Sequence, residues 1–185
     1  MKNIQFIVNY KIYIEAFLVL SLSLCALYTD IKSFKIPNKL NLIFIIFGLA
    51  YNLVIGNIKL AVIGLLLPMV MFPLFAAGMI GAGDVKLFCA LGAISAFPNI
   101  IRIMAYSIFM NGIIAVFLLI FRRQFSVFKK LFNWIKYCIM SCTVMKYQVL
   151  NSKNKSSFRY AYGITVGCVY YVVTSLLLGG AYALL

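Results

Sequence analysis

The sequence predicts an all-α, polytopic membrane protein of about six transmembrane helices, with one basic amphipathic helix lying in the interface. Three observations predict it. Hydrophobic residues fill 65% of the 185 positions and charged residues only 11%, more apolar surface than a soluble core of this length can hide. The apolar residues come in long runs, and a hydrocarbon core about 30 Å thick is crossed by about 20 of them in a helix. Lipid offers the backbone no partner, so such runs must satisfy their own hydrogen bonds as helices. Roughly six runs of that length fit, leaving no room for a soluble domain, and residues 1–185 read as one domain.

The charge points the same way. A net charge of +14 could suggest nucleic acid, but basic loops are what membrane proteins use to set orientation, so a nucleic-acid partner is not expected. The five cysteines, Cys25, Cys89, Cys138, Cys142 and Cys168, form no CxxC, and histidine is absent. Neither a zinc site nor a disulfide framework is expected, and no metal is assigned.

Residues 12–29 form the first apolar segment. No A-x-A pattern follows it, and a bulky leucine precedes Cys25, so it reads as an uncleaved helix rather than a signal peptide. Glu15, near its outer end, reads as an interfacial carboxylate touching water or a lysine. Asp30 opens a polar stretch that runs to Lys39. Within it, Pro37 biases Ile36 toward extended backbone, and Asn38 is a candidate N-cap for a helix over 40–56. Gly56-Asn57 makes a turn. The next helix, 58–77, contains Pro68 and Pro73 and should kink or break. Gly78 to Gly83 is a glycine-rich joint, after which Asp84 heads a short apolar segment over 85–97, closed by Phe97-Pro98-Asn99.

A helix over 100–121 follows. Residues 122–159 change character: Phe125, Phe128, Phe132, Ile135, Ile139 and Cys142 keep helical spacing while Lys129, Asn133 and Lys136 lie elsewhere on the wheel. That pattern, with Trp134, predicts an amphipathic helix on the cytoplasmic interface. The last apolar segment spans 160–178 or beyond.

Orientation is an independent check. If the 30–39 loop faces the cytoplasm, the 78–86 joint and the 122–159 segment do too. That side then holds thirteen of the seventeen lysines and arginines, the bias expected of cytoplasmic loops. Both termini fall outside. The same topology returns Asp30 and Asp84 to one membrane face. The chain has only three acidic residues, Glu15, Asp30 and Asp84, and carboxylates at membrane depth tend to face a cavity or a partner.

Two carboxyls sharing a site hold one proton between them, because like-charge repulsion raises one pKa. That suits peptide hydrolysis: the ionised member takes a proton from water and the protonated one polarises the scissile carbonyl. Gly81 and Gly83 would leave space for a substrate backbone beside Asp84. Each feature has a plainer reading: Asp84 as an N-cap, Asp30 as a loop residue, and Lys86, turned about 200° from Asp84 on a helix, as an interfacial or structural lysine.

Asp30 followed by Ile36-Pro37-Asn38, and then Gly81-Ala82-Gly83-Asp84-Val85-Lys86-Leu87, resembles the bacterial type IV prepilin peptidases, GxGD-type aspartic peptidases of the inner membrane. The resemblance covers about residues 20–95. Tyr160 to Gly167 is similar to a later family segment but lacks its usual proline. The resemblance implies that Asp30 and Asp84 are catalytic, supported by Gly81, Gly83, Pro37, Asn38 and Lys86. It implies removal of a short basic leader from prepilin or pseudopilin precursors at the cytoplasmic face, with no cofactor. It also implies a short form, since nothing corresponds to the paired-cysteine domain linked to N-methylation in larger members. Two other functions would use the same residues. A proton- or cation-coupled transporter would use both carboxylates with broken helices; a non-catalytic scaffold would use them as caps.

Overall fold

The computed structural model describes residues 2–33, 36–76, 80–121 and 160–182. Every regular element among them is helical: α1 Lys2–Ser33, α2 Asn38–Val54, α3 Ile58–Leu66, a 3-10 turn Leu67–Met71, α4 Phe72–Ala76, α5 Ala82–Ser95, α6 Asn99–Phe121 and α7 Tyr160–Tyr182. Four stretches are long and apolar enough to cross a membrane: Tyr10–Ser33, Ile58–Ala76, Asn99–Leu118 and Tyr160–Leu177. The fold is therefore an all-α membrane bundle with four such helices among the described residues, where about six were expected. The other two expected spans are α2, at 17 residues, and α5, at 14. The amphipathic helix expected over 122–159 lies outside the described residues.

The bundle is organised around α5. It packs on α2, α3 and α1, while α7 packs on α6 and α1. Every residue from Ala90 to Ser95 is buried, and small side chains make this possible. A Cβ on Gly92 would collide with the carbonyl of Gly64 on α3, and one on Gly48 of α2 would lie 2.8 Å from the Ala93 backbone. Helix pairs in lipid gain from such close packing because lipid tails are as apolar as the helices. The end of α5 is closed by Asn52 of α2, whose buried amide donates to the carbonyls of Ala93 and Ile94 at 3.0 Å each. These belong to the last turn, where carbonyls have no partner within the helix.

The helix boundaries follow local chemistry. Pro68 is buried in the 3-10 turn; its missing N–H and its ring break the α-helical ladder there, as expected. Gly56 takes a φ of 81° after α2, a left-handed conformation that stops the helix at little steric cost to glycine. Two expectations fail. α1 continues to Ser33, so Asp30 lies in the last turns of the helix instead of opening a loop. Asn38 does not cap α2 but is its first residue. Pro37 occupies the cap position in extended conformation, with no side-chain cap bond, and its carbonyl receives the Leu40 N–H at 3.1 Å. The Asn38 side chain is engaged elsewhere, as described below.

Candidate active site

Asp84 sits in the first turn of α5, ahead of that helix's apolar run and outside the four long spans. Gly81 is the N-cap residue, with φ −75° and ψ 148°, so the plain reading of Asp84 as the cap itself does not hold. Asp84 occupies the third helical position. Its N–H donates to the Gly81 carbonyl at 3.1 Å, and its carboxylate accepts a hydrogen bond from the Gly81 backbone. This is the acid half of a capping box, in which a side chain at the third position reaches back to the cap N–H.

The two glycines of the motif differ. A Cβ on Gly81 would lie 3.0 Å from Asp84 Oδ2, so glycine here leaves room for Asp84's own carboxylate. A Cβ on Gly83 would meet only Ile36, at an ordinary 3.6 Å. The fold itself therefore tolerates a small side chain at Gly83.

Asp30 reaches the same end of the bundle from α1. It follows the buried residues Val19, Leu22 and Ala26 at helical spacing, which places it on the face of α1 that packs inward. Its charge acts on Asp84. Burial is the main cause that pushes the Asp84 carboxyl up to about 6, the Gly81 hydrogen bond opposes it, and the negative field of Asp30 adds to it. Tyr160, the first residue of α7, lies within electrostatic reach of Asp84. Helices separated by more than fifty residues thus converge on one point. Tyr160 belongs to the stretch that resembled a family segment, yet nothing in its local pattern marked it as a neighbour of Asp84.

Lys86 and Asn38 stand together at this end. The Lys86 ammonium donates to Asn38 Oδ1 at 2.9 Å on the exposed surface, tying the start of α5 to the start of α2. Pro37 sets the entry angle of α2.

Glu15 departs from expectation. It is only 7% exposed and, besides lying in the field of Lys11, is held by neighbouring helices. Tyr171 donates to Glu15 Oε1 at 2.7 Å, and Asn99 Nδ2 donates to the same oxygen at 3.3 Å. These groups, with Arg102 and Ser175, line a cavity of about 290 Å³ fifteen residues, or about 22 Å, along α1 from Asp30. The clue in the sequence was register: Glu15 precedes Val19, Leu22 and Ala26 on one helical stripe.

Comparison with known proteins follows these residues. The model of the type IV leader peptidase family matches residues 17–116, a stretch that contains both aspartates and the glycine motif. The chain belongs to this family. It is also similar to the protein described as prepilin peptidase EppA from Methanocaldococcus jannaschii, with 33% identity over 123 residues. That match covers 60% of this chain and 34% of the relative, so it spans about a third of the relative's length. No solved structure gives a significant match.

Proposed function

We propose that the chain is a membrane aspartic endopeptidase that removes the short basic leader from prepilin or pseudopilin precursors, with Asp30 and Asp84 as its catalytic dyad. The observation that carries this reading is the juxtaposition of the two aspartates, with burial first and Asp30's field second raising the Asp84 carboxyl to about 6. Family membership supports the reaction class. The dyad holds one proton. The ionised carboxylate takes a proton from a water, whose oxygen attacks the scissile carbonyl. The protonated partner donates to that carbonyl's oxygen. Collapse of the tetrahedral intermediate breaks the C–N bond and returns a proton to the leaving amine, so protons balance over the cycle and no cofactor takes part.

In this reading the dyad faces the cytoplasm in the cytoplasmic membrane, both termini face outward, and the bilayer is the protein's solvent. The charge distribution supports that orientation. The precursor's apolar helix docks within the membrane, so that the leader junction lies at the bundle's end near Asp84. Gly83, which the fold does not need to be glycine, would then serve the approach of substrate backbone. Pro37, Asn38 and Lys86 hold the neighbouring helix starts in place.

Co-expression with a small precursor carrying a basic leader ahead of an apolar helix tests the proposal. A faster-migrating product whose new N-terminus falls at the leader junction, absent with Asp84→Asn, is the expected result. An unprocessed precursor beside correctly inserted wild-type protein would overturn it, as would full processing by Asp84→Asn.

A further inference from the structure

A second cavity, of about 510 Å³, opens between α2, the 3-10 turn and α5. Its lining is graded. Lys39 and Lys86 stand exposed at its mouth, Asn41 lies within, and Leu42, Ile45 and Met69 make the apolar wall. Asn41 is 2% exposed, and neither its Nδ2 nor its Oδ1 has a hydrogen-bond partner among the described residues. A buried amide without partners is costly, and more so in lipid, so an unpaired one on a residue that lines a cavity points to a polar group that enters from outside. The bond from Lys86 to Asn38 Oδ1 holds the ammonium at the mouth and leaves two of its donors unused by that bond.

We propose that this groove binds an acidic phospholipid. The order of groups along it is the order along such a lipid. Two cations meet the phosphate. Asn41, three residues into α2 and so about 4.5 Å deeper, meets the ester linkage. The apolar wall receives an acyl chain. Lysines at the bilayer surface favour anionic over zwitterionic headgroups.

The precursor does not fit this groove. Lys86 points about 200° around α5 from Asp84, so the groove opens on the flank of α5 away from the dyad. A basic leader would also be repelled by Lys39 and Lys86. The inference requires only that the chain sits in a membrane; it does not depend on the peptidase reading.

The test uses the full chain in phosphatidylcholine nanodiscs containing a trace of lipid with a photoreactive acyl chain, either phosphatidylglycerol or phosphatidylcholine. Crosslinks are mapped by mass spectrometry. Expected are crosslinks on Leu42, Ile45 or Met69, with phosphatidylglycerol giving about tenfold or more the yield of phosphatidylcholine, since each interfacial lysine contributes to anion preference. Lys39→Gln/Lys86→Gln should abolish the difference, and Lys39→Arg/Lys86→Arg, which keeps both charges, should retain it. Both sites are exposed, so the substitutions leave the core intact. Lys59→Gln/Arg102→Gln, at the opposite end, should change nothing. Equal yields from the two lipids would overturn the proposal. So would a preference that survives Lys39→Gln/Lys86→Gln, or lipid crosslinks that fall only outside Leu42, Ile45 and Met69.

Discussion

Helix α1 carries a carboxylate near each end of one buried stripe, and the two are treated in opposite ways. Glu15 is closed off. Tyr171 from α7 and Asn99 from α6 both donate to its Oε1, and little of the side chain is exposed. Asp30 faces a second acid. Asp84 approaches on a helix whose start is glycine on both sides of Ala82, and the charge of Asp30 adds to the burial that makes the Asp84 carboxyl harder to ionise. The Glu15 site spends hydrogen bonds on holding helices together. At the other end two acids lie within electrostatic reach of one another, an arrangement that is unfavourable for stability and, in the proposed function, useful for proton transfer. Acids inside a membrane protein are therefore not equivalent evidence of function; what matters is whether a second acid lies within electrostatic reach.

Substitutions that exchange these roles give the largest contrast. Asp30→Asn or Asp84→Asn should each lower precursor cleavage by at least about a thousandfold while leaving membrane insertion intact and thermal stability no lower than wild type. Glu15→Gln, measured in the same gel assay, should cleave at close to the wild-type rate. Comparable loss in all three variants would erase the distinction between the two ends.

Stability should separate them in the reverse sense. Glu15→Ala leaves the Tyr171 hydroxyl and the Asn99 amide without their acceptor, a loss of about 1–3 kcal/mol. Thermal unfolding in detergent should show it as a lowered midpoint, with Glu15→Gln affected less because its amide oxygen still accepts.

A smaller effect distinguishes the glycines. Gly83→Ala places its Cβ 3.6 Å from Ile36, so its melting temperature should match wild type while kcat/KM for a precursor falls roughly tenfold through a hindered substrate backbone, a loss of about 1.4 kcal/mol in transition-state binding. Wild-type kcat/KM would remove substrate approach as the reason for that glycine. Gly81→Ala, which presses on Asp84 Oδ2 at 3.0 Å, should lower kcat even for substrates too small to feel position 83.

Much of this was legible in the sequence because it rests on local pattern or on topology. Apolar runs, Pro68, and Gly56-Asn57 fixed where helices run, break and turn. Counting crossings returned Asp30 and Asp84 to one end. What escaped were interactions made by long-range packing. The enclosure of Glu15 escaped because its partners lie 84 and 156 positions away, although its register with Val19 and Leu22 was visible. Asn52 closing α5 and Tyr160 approaching Asp84 could not be read from neighbours in the chain. Asn38 looked like a cap because its type suits one, but a proline directly before it had already taken the position. Among the described residues four of the expected spans are long, and α2 and α5 are the short ones; packed on α2, α3 and α1, α5 is stabilised by close contact and can be short.

In the proposed function Asp30 and Asp84 form one titrating unit. They are the only two aspartates in the chain, so protein labelled with carbon-13 at the aspartate carboxyl carbon gives two side-chain signals in lipid. The Asp84 signal should titrate near pH 6, above the ordinary value of 3.8. In Asp30→Asn, where one signal remains and the negative neighbour is gone, its midpoint should move to lower pH, because Asp30 raises the Asp84 pKa. An Asp84 midpoint that is the same in wild type and Asp30→Asn would contradict the dyad.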